Sequence, residues 1–138
     1  MPEELPERLE AGTLNVPGAA GLAAGMELVE KLGTENIFRR GHGQVGVCAR
    51  GLEELGYRVY SGPHQAMTLS FRGKGDCEEL AAYLGSKGIA LRAGLHCAPL
   101  AHESAGTLET GTLRVSFGHE ASSLQTRALL RALRDRRG

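Results

Sequence analysis

The sequence predicts an α+β fold: a small, mostly antiparallel sheet with helices packed on one face. Three observations point to it. Short alternating segments come in close pairs, "YRVY" with "AMTLSFR" and "IALRA" with "TLRVSFG". Segments with apolar residues at helical spacing flank and separate those pairs. Two capping patterns, Asp76 with Glu79 and Ser122 with Gln125, mark helix starts.

In chain order, residues 1–15 read as extended or irregular, because Pro2 and Pro6 interrupt any early helix. Pro17 suits the first turn of a helix, and Leu22, Met26, Val29 and Leu32 recur at helical spacing up to a stop at Gly33. The glycines of "GAAGLAAG" lower intrinsic helicity but allow close approach, so this face is expected to pack tightly. A second helix is expected from about Glu35 to Leu55, with Val45, Cys48, Leu52 and Leu55 as its apolar stripe. Cys48 then reads as a small core residue. The strands "YRVY" and "AMTLSFR" follow, joined by the turn "SGPH". The helix opened by Asp76 carries Leu80, Tyr83 and Leu84 inward and stops at Gly88. Cys77, in its first turn, reads as a surface or semi-buried residue. After "IALRA" and "TLRVSFG" comes a last helix, with Leu124, Ala128, Leu129 and Leu133 expected to face inward.

Composition excludes more than it identifies. The 138 residues suffice for one modest core. Sixteen basic and sixteen acidic residues balance, which gives no reason to expect nucleic acid or an anionic membrane as partner. The basic end "RALRDRRG" reads as a helix terminus favoured by the helix dipole. No apolar run is long enough to span a bilayer. The acidic, proline-bearing start is unlike a signal peptide. Three scattered cysteines make no disulfide framework and suggest a reducing, cytoplasmic setting. Without a CxxC or HxxxH pair, no metal site is expected.

Between "IALRA" and "TLRVSFG" lie roughly seventeen residues without periodicity. This loop holds Cys97, His96, His102 and Glu103. Leu95, Leu100 and Leu108 are expected to anchor it on a surface. Arg92 and Arg114 flank it on strands, and two guanidinium forks suit an anionic group such as a carboxylate. Three readings of Cys97 stay open at this point: inert thiol, metal ligand or loop-borne nucleophile.

The wording of three segments goes further. "RLEAGTLNVPGAAGL", "RAGLHCAPLAH" and "GTLETGTLRVSFG" occur in order at consistent spacing. Together they resemble the C-terminal part of the cysteine desulfurase and selenocysteine lyase family, class V aminotransferases among the fold-type I pyridoxal phosphate (PLP) enzymes. The resemblance implies that Cys97 is the nucleophile that takes sulfur from L-cysteine as a persulfide while alanine leaves. It implies that Arg114 pairs with the substrate α-carboxylate, with Arg92 and His96 beside the thiol. Thr13 would reach the cofactor phosphate of the neighbouring subunit, which implies a homodimer. A sulfur-acceptor protein is a further implied partner. The fold implied is that of the family's C-terminal small domain over 34–138, preceded by an extended segment and linking helix over 1–33.

Two departures accompany the match. After "RVSFG" the family usually has an aromatic residue, then Asn and Thr, where His119, Glu120, Ala121 and Ser122 stand here. Ser122 can still cap a helix. The family's lysine-bearing large domain is also not matched, and Lys31, Lys74 and Lys87 lie outside any cofactor-lysine motif. The chain alone is therefore expected to lack desulfurase turnover. Two alternatives stand beside this reading: a free-standing, non-enzymatic sulfur carrier or interaction module, and a truncated reading frame without an independent role.

Overall fold

The computed structural model describes residues 3–10 and 12–136. It divides into two compact units, Met1–Thr34 and Glu35–Gly138. In the first, a 3-10 turn at Glu7–Leu9 precedes helix α1, Val16–Leu32. Asn15 caps α1: its Oδ1 accepts the Gly18 N–H at 3.0 Å. Gly33, at φ 76°, ends the helix as its spacing predicts. None of its residues is buried, and Leu22 and Met26 stay 66% and 64% exposed.

The second unit runs α2 (Thr34–Glu54, whose first residue belongs to the first unit), β1 (Arg58–Tyr60), β2 (Thr68–Arg72), α3 (Cys77–Ser86), β3 (Arg92–Gly94), α4 (Pro99–Ser104), β4 (Thr112–Ser116) and α5 (Ser123–Asp135). Its four strands form an antiparallel sheet in the order β1-β2-β4-β3. Alternation assigns the two faces. Leu69 and Phe71 of β2, with Leu113 and Val115 of β4, are buried among Val45, Cys48 and Leu52 of α2, Leu80 and Leu84 of α3, and Leu129 and Leu133 of α5. Full burial of each such side chain is worth about 1.5–3 kcal/mol. The α+β class with helices on one face is thus as the sequence predicts.

Local chemistry explains the element ends. The Asp76 carboxylate accepts the N–H groups of Glu78 and Glu79 at 2.6 and 3.1 Å, satisfying donors at the start of α3. Gln125 Oε1 accepts the Ser122 N–H at 2.8 Å at the start of α5, so the departure at His119–Ala121 leaves the cap intact. The glycine-bearing α2 stays helical because close packing uses the missing side chain: a Cβ on Gly51 would collide with Leu130.

Three expectations need correction. In α5 the inward residues are Thr126, Leu129, Ala132 and Leu133, whereas Leu124 is 74% exposed and Ala128 is exposed. Thr126 goes inside because its hydroxyl donates to Gln44 Oε1 at 2.8 Å. Strand β3 occupies only Arg92–Gly94, since Ile89 N–H still bonds back to Leu84 O at the end of α3. Cys77 is buried rather than superficial. Arg137 and Gly138 of the basic end, and Ala11 of the "EAGT" segment, lie outside the described residues.

Candidate functional site

The strand register assembles what the sequence had only placed in order. Arg92 and Arg114 are directly opposed across β3 and β4, so both side chains leave the sheet on the face opposite α2, α3 and α5. Ser70 opposes Arg114 on its other side, and Tyr60 opposes Ser70. One row of that open face therefore reads Tyr60, Ser70, Arg114, Arg92. The neighbouring row holds Arg58 opposite Arg72.

The long loop is ordered, and it contains α4, which periodicity did not reveal because Pro99 opens a helix of only six residues. Polar contacts hold it. His102 is buried, with its Nδ1 2.8 Å from Thr107 Oγ1, and Thr107 is buried too. Thr107 N–H donates to His102 O at 2.8 Å, and Gly111 N–H to Thr107 O at 2.8 Å. The Cys77 thiol donates to Thr110 O at 3.3 Å, tying the end of the loop to α3. The expected apolar anchors do not serve: Leu100 and Leu108 are exposed and Leu95 only half-buried. At the neck, Gly94 and Gly111 have φ of 99° and 61°, and a Cβ on Gly111 would stand 2.9 Å from Gly94 Cα.

Cys97 is exposed at the start of this loop. Arg92 Nη2 donates to its Sγ at 3.8 Å. His96 and Cys97 have φ of 53° and 59°, left-handed conformations that are unfavourable for residues with a Cβ. Adjacent strain of this kind persists only where surrounding contacts enforce it. One such contact is His96 Nε2 to Thr112 Oγ1 at 3.1 Å. Burial, then the charge of Arg114, then His102, hold the His96 pKa below its ordinary value of 6.5, so the imidazole is neutral at pH 7. Its ring lies 5.7 Å from that of His102. Cys48, fully buried in the core, is pushed up to about 11 by burial, which keeps it a protonated, enclosed thiol.

Among the described residues, four buried polar atoms lack a hydrogen-bond partner: Tyr60 Oη, Arg72 Nε, His96 Nδ1 and Arg114 Nε. Buried polar groups are ordinarily satisfied, and each exception costs about 1–3 kcal/mol. Three sit on the open face and the fourth at the loop beside it. Sequence reading singled out Arg92, His96, Cys97 and Arg114, which the fold brings together. It named His102 in the loop without giving it a role, and missed Tyr60, Arg72, Cys77 and Thr112 as contributors. The signal available for Tyr60 and Arg72 was their alternation with core residues in "YRVY" and "TLSFR".

Thr13 is exposed on the stretch before α1 and belongs to the first unit. The lysines do not fit a Schiff-base site: Lys31 lies in the last turn of α1, Lys74 in a turn, and Lys87 caps α3 beside the Tyr83 ring, all exposed. Among the described residues no group of three His, Cys, Asp or Glu is placed to hold a metal ion. None of the described helices is long and apolar enough to cross a membrane.

The chain belongs to the aminotransferase class-V family, whose model matches residues 2–129. Within that family it is similar to cysteine desulfurases. A probable cysteine desulfurase of Pyrococcus abyssi is 37% identical over 127 residues, 88% of this chain and 31% of that protein. The structure of the apo cysteine desulfurase of Thermococcus onnurineus superposes with a TM-score of 0.85 at 34% identity, covering 94% of this chain and 33% of that one. The cysteine desulfurase CsdA (S-sulfonic acid) of Escherichia coli gives 0.84 at 30% identity, with 94% and 32% covered. The chain thus spans about a third of the length of these relatives, consistent with a C-terminal portion of the family.

Proposed function

We propose that these residues form the sulfur-accepting portion of a PLP-dependent cysteine desulfurase, with Cys97 as the atom that receives sulfur. The observation that carries this reading is the placement of Cys97. It is the exposed thiol of the three, held in a strained conformation with Arg92 on its sulfur, while Cys48 and Cys77 are enclosed. In the acceptance step the Cys97 thiolate attacks the outer sulfur of a persulfide. A bond forms between Sγ and that sulfur, the donor's S–S bond breaks, and the donor leaves as a thiolate. Arg114 holds the carboxylate of L-cysteine or of a small persulfide derived from it. His96, kept neutral, adds no third positive charge beside Arg92 and Arg114.

PLP, when bound, would supply the carbanion chemistry that frees sulfur from cysteine. Because no lysine of this chain is placed for that cofactor, turnover requires a lysine from elsewhere. Thr13 is assigned to the cofactor phosphate of a neighbouring subunit, and hence to a homodimer. A sulfur-acceptor protein would take the persulfide onward. A reducing, cytoplasmic setting suits three free thiols.

The test is incubation of the chain with a small persulfide donor, followed by mass spectrometry of its peptides. One added sulfur atom on Cys97, absent after Cys97→Ala, is expected. Sulfur distributed equally over Cys48, Cys77 and Cys97 would defeat the proposal, as would release of sulfide from L-cysteine and PLP by the chain alone.

A further inference from the structure

Four guanidinium groups cross the open face. Arg58 opposes Arg72, Arg114 opposes Arg92, and Arg72 stands diagonal to Arg114 across β2 and β4 at about 7–8 Å between backbones. Like charges directly opposed weaken a sheet. Sixteen acidic residues are available in the chain, yet among the described residues none pairs with any of these four arginines. The middle two, Arg72 and Arg114, are half-buried with unpartnered Nε atoms, whereas Arg58 and Arg92 at the flanks are exposed. Tyr60, diagonal to Arg72, has its hydroxyl unpartnered as well, and Arg58 lies over its ring at 5.1 Å. Arg72 and Arg114 keep part of their surface open between the exposed flanks, and a planar guanidinium grips a small oxyanion through paired hydrogen bonds.

We propose that Arg72 and Tyr60 form a second oxyanion subsite beside Arg114, so that the open face takes a small dianion. One carboxylate lies at Arg114 and a second oxyanionic group at Arg72. This deepens the reading of Arg114 as carboxylate anchor and rests on it. The consequence is selectivity: a ligand with a second acidic group is held at two points, and a monoanion at one.

The experiment is calorimetric titration of the chain with succinate, acetate and inorganic phosphate. Succinate is expected to bind at least about tenfold more tightly than acetate. Arg72→Gln should reduce succinate to the acetate level and leave acetate within about twofold, while Arg114→Gln should weaken both. Arg72→Lys should restore part of the preference. Tyr60→Phe, which removes only a hydroxyl, gives the same readout with a smaller loss if Arg72→Gln fails to fold. Equal binding of succinate and acetate would overturn the proposal. So would a preference that survives Arg72→Gln, or phosphate binding that needs Arg72 but not Arg114. Sulfur uptake is scored separately on the unsubstituted chain: failure of Cys97 to take up sulfur while the succinate preference is intact counts only against the sulfur-accepting role.

Discussion

The two faces of the sheet follow opposite rules. Leu69, Phe71, Leu113 and Val115 point into a core where apolar surface meets apolar surface. Their immediate neighbours in sequence, Ser70, Arg72, Thr112 and Arg114, point the other way, to a face with opposed like charges and unpartnered donors. Both faces come from the same strands, so backbone pairing is common to them and only side chains differ. One face supplies stability, and the other carries Tyr60, Arg72 and Arg114, whose polar atoms lack partners among the described residues.

Adjacent substitutions break that contrast most sharply. Phe71→Ala should destabilise the protein by about 3–5 kcal/mol, because it removes a fully buried ring and leaves a cavity. Ser70→Ala, one residue away on the open face, should stay within about 0.5 kcal/mol. Urea unfolding of the two variants measures both, and similar losses would mean the faces are not separated as described.

Raising the pH probes the core face through Cys48. Its native pKa of about 11 lies above its ordinary value of 9.0. Between these values the unfolded chain gives up the thiol proton and the native protein retains it, so the unfolded state binds fewer protons. The stabilising difference is fully present below pH 9 and is lost as pH climbs to 11, at about 2–3 kcal/mol in all. Cys48→Ala should remove that part of the decline and Cys97→Ala should not, as unfolding curves at stepped pH would reveal.

The backbone at the site gives a smaller effect. Cys97→Gly should be more stable than Cys97→Ala by about 1 kcal/mol, since only glycine adopts a φ of 59° without a Cβ penalty. Equal melting temperatures would argue against strain at that residue. Least of all, Arg92→Ala should raise stability by a few tenths of about 1 kcal/mol in dilute buffer by removing the charge opposite Arg114. The gain should vanish in high salt, and its persistence there would exclude repulsion as the cause.

Sequence patterns were informative wherever burial followed a period. The stripe Val45, Cys48 and Leu52 and the alternation in "TLSFR" and "TLRVS" carried the helices, the strands and the open face that displays Arg114. They misled where a polar residue was satisfied inside. Thr126 displaced Leu124 from the inner face of α5, and His102 with Thr107 anchored the loop in place of Leu100 and Leu108. Motif spacing placed Cys97 and its arginines. The contribution of Arg72 emerged only from strand register, which sets it diagonal to Arg114 although 42 residues separate them along the chain.

The glycine contact at the neck of the loop has a mechanical meaning. With the backbones at Gly94 and Gly111 nearly touching, the segment between them is a bead on a pinched stem rather than a swinging arm. Cys97 follows Gly94 closely in the chain, so its place is set near that stem. Arg92 and Arg114 spring from the two strands that make this stem. A methyl group added at residue 111 would spread the stem, and the place of the sulfur and the spacing of the two guanidinium groups would change together.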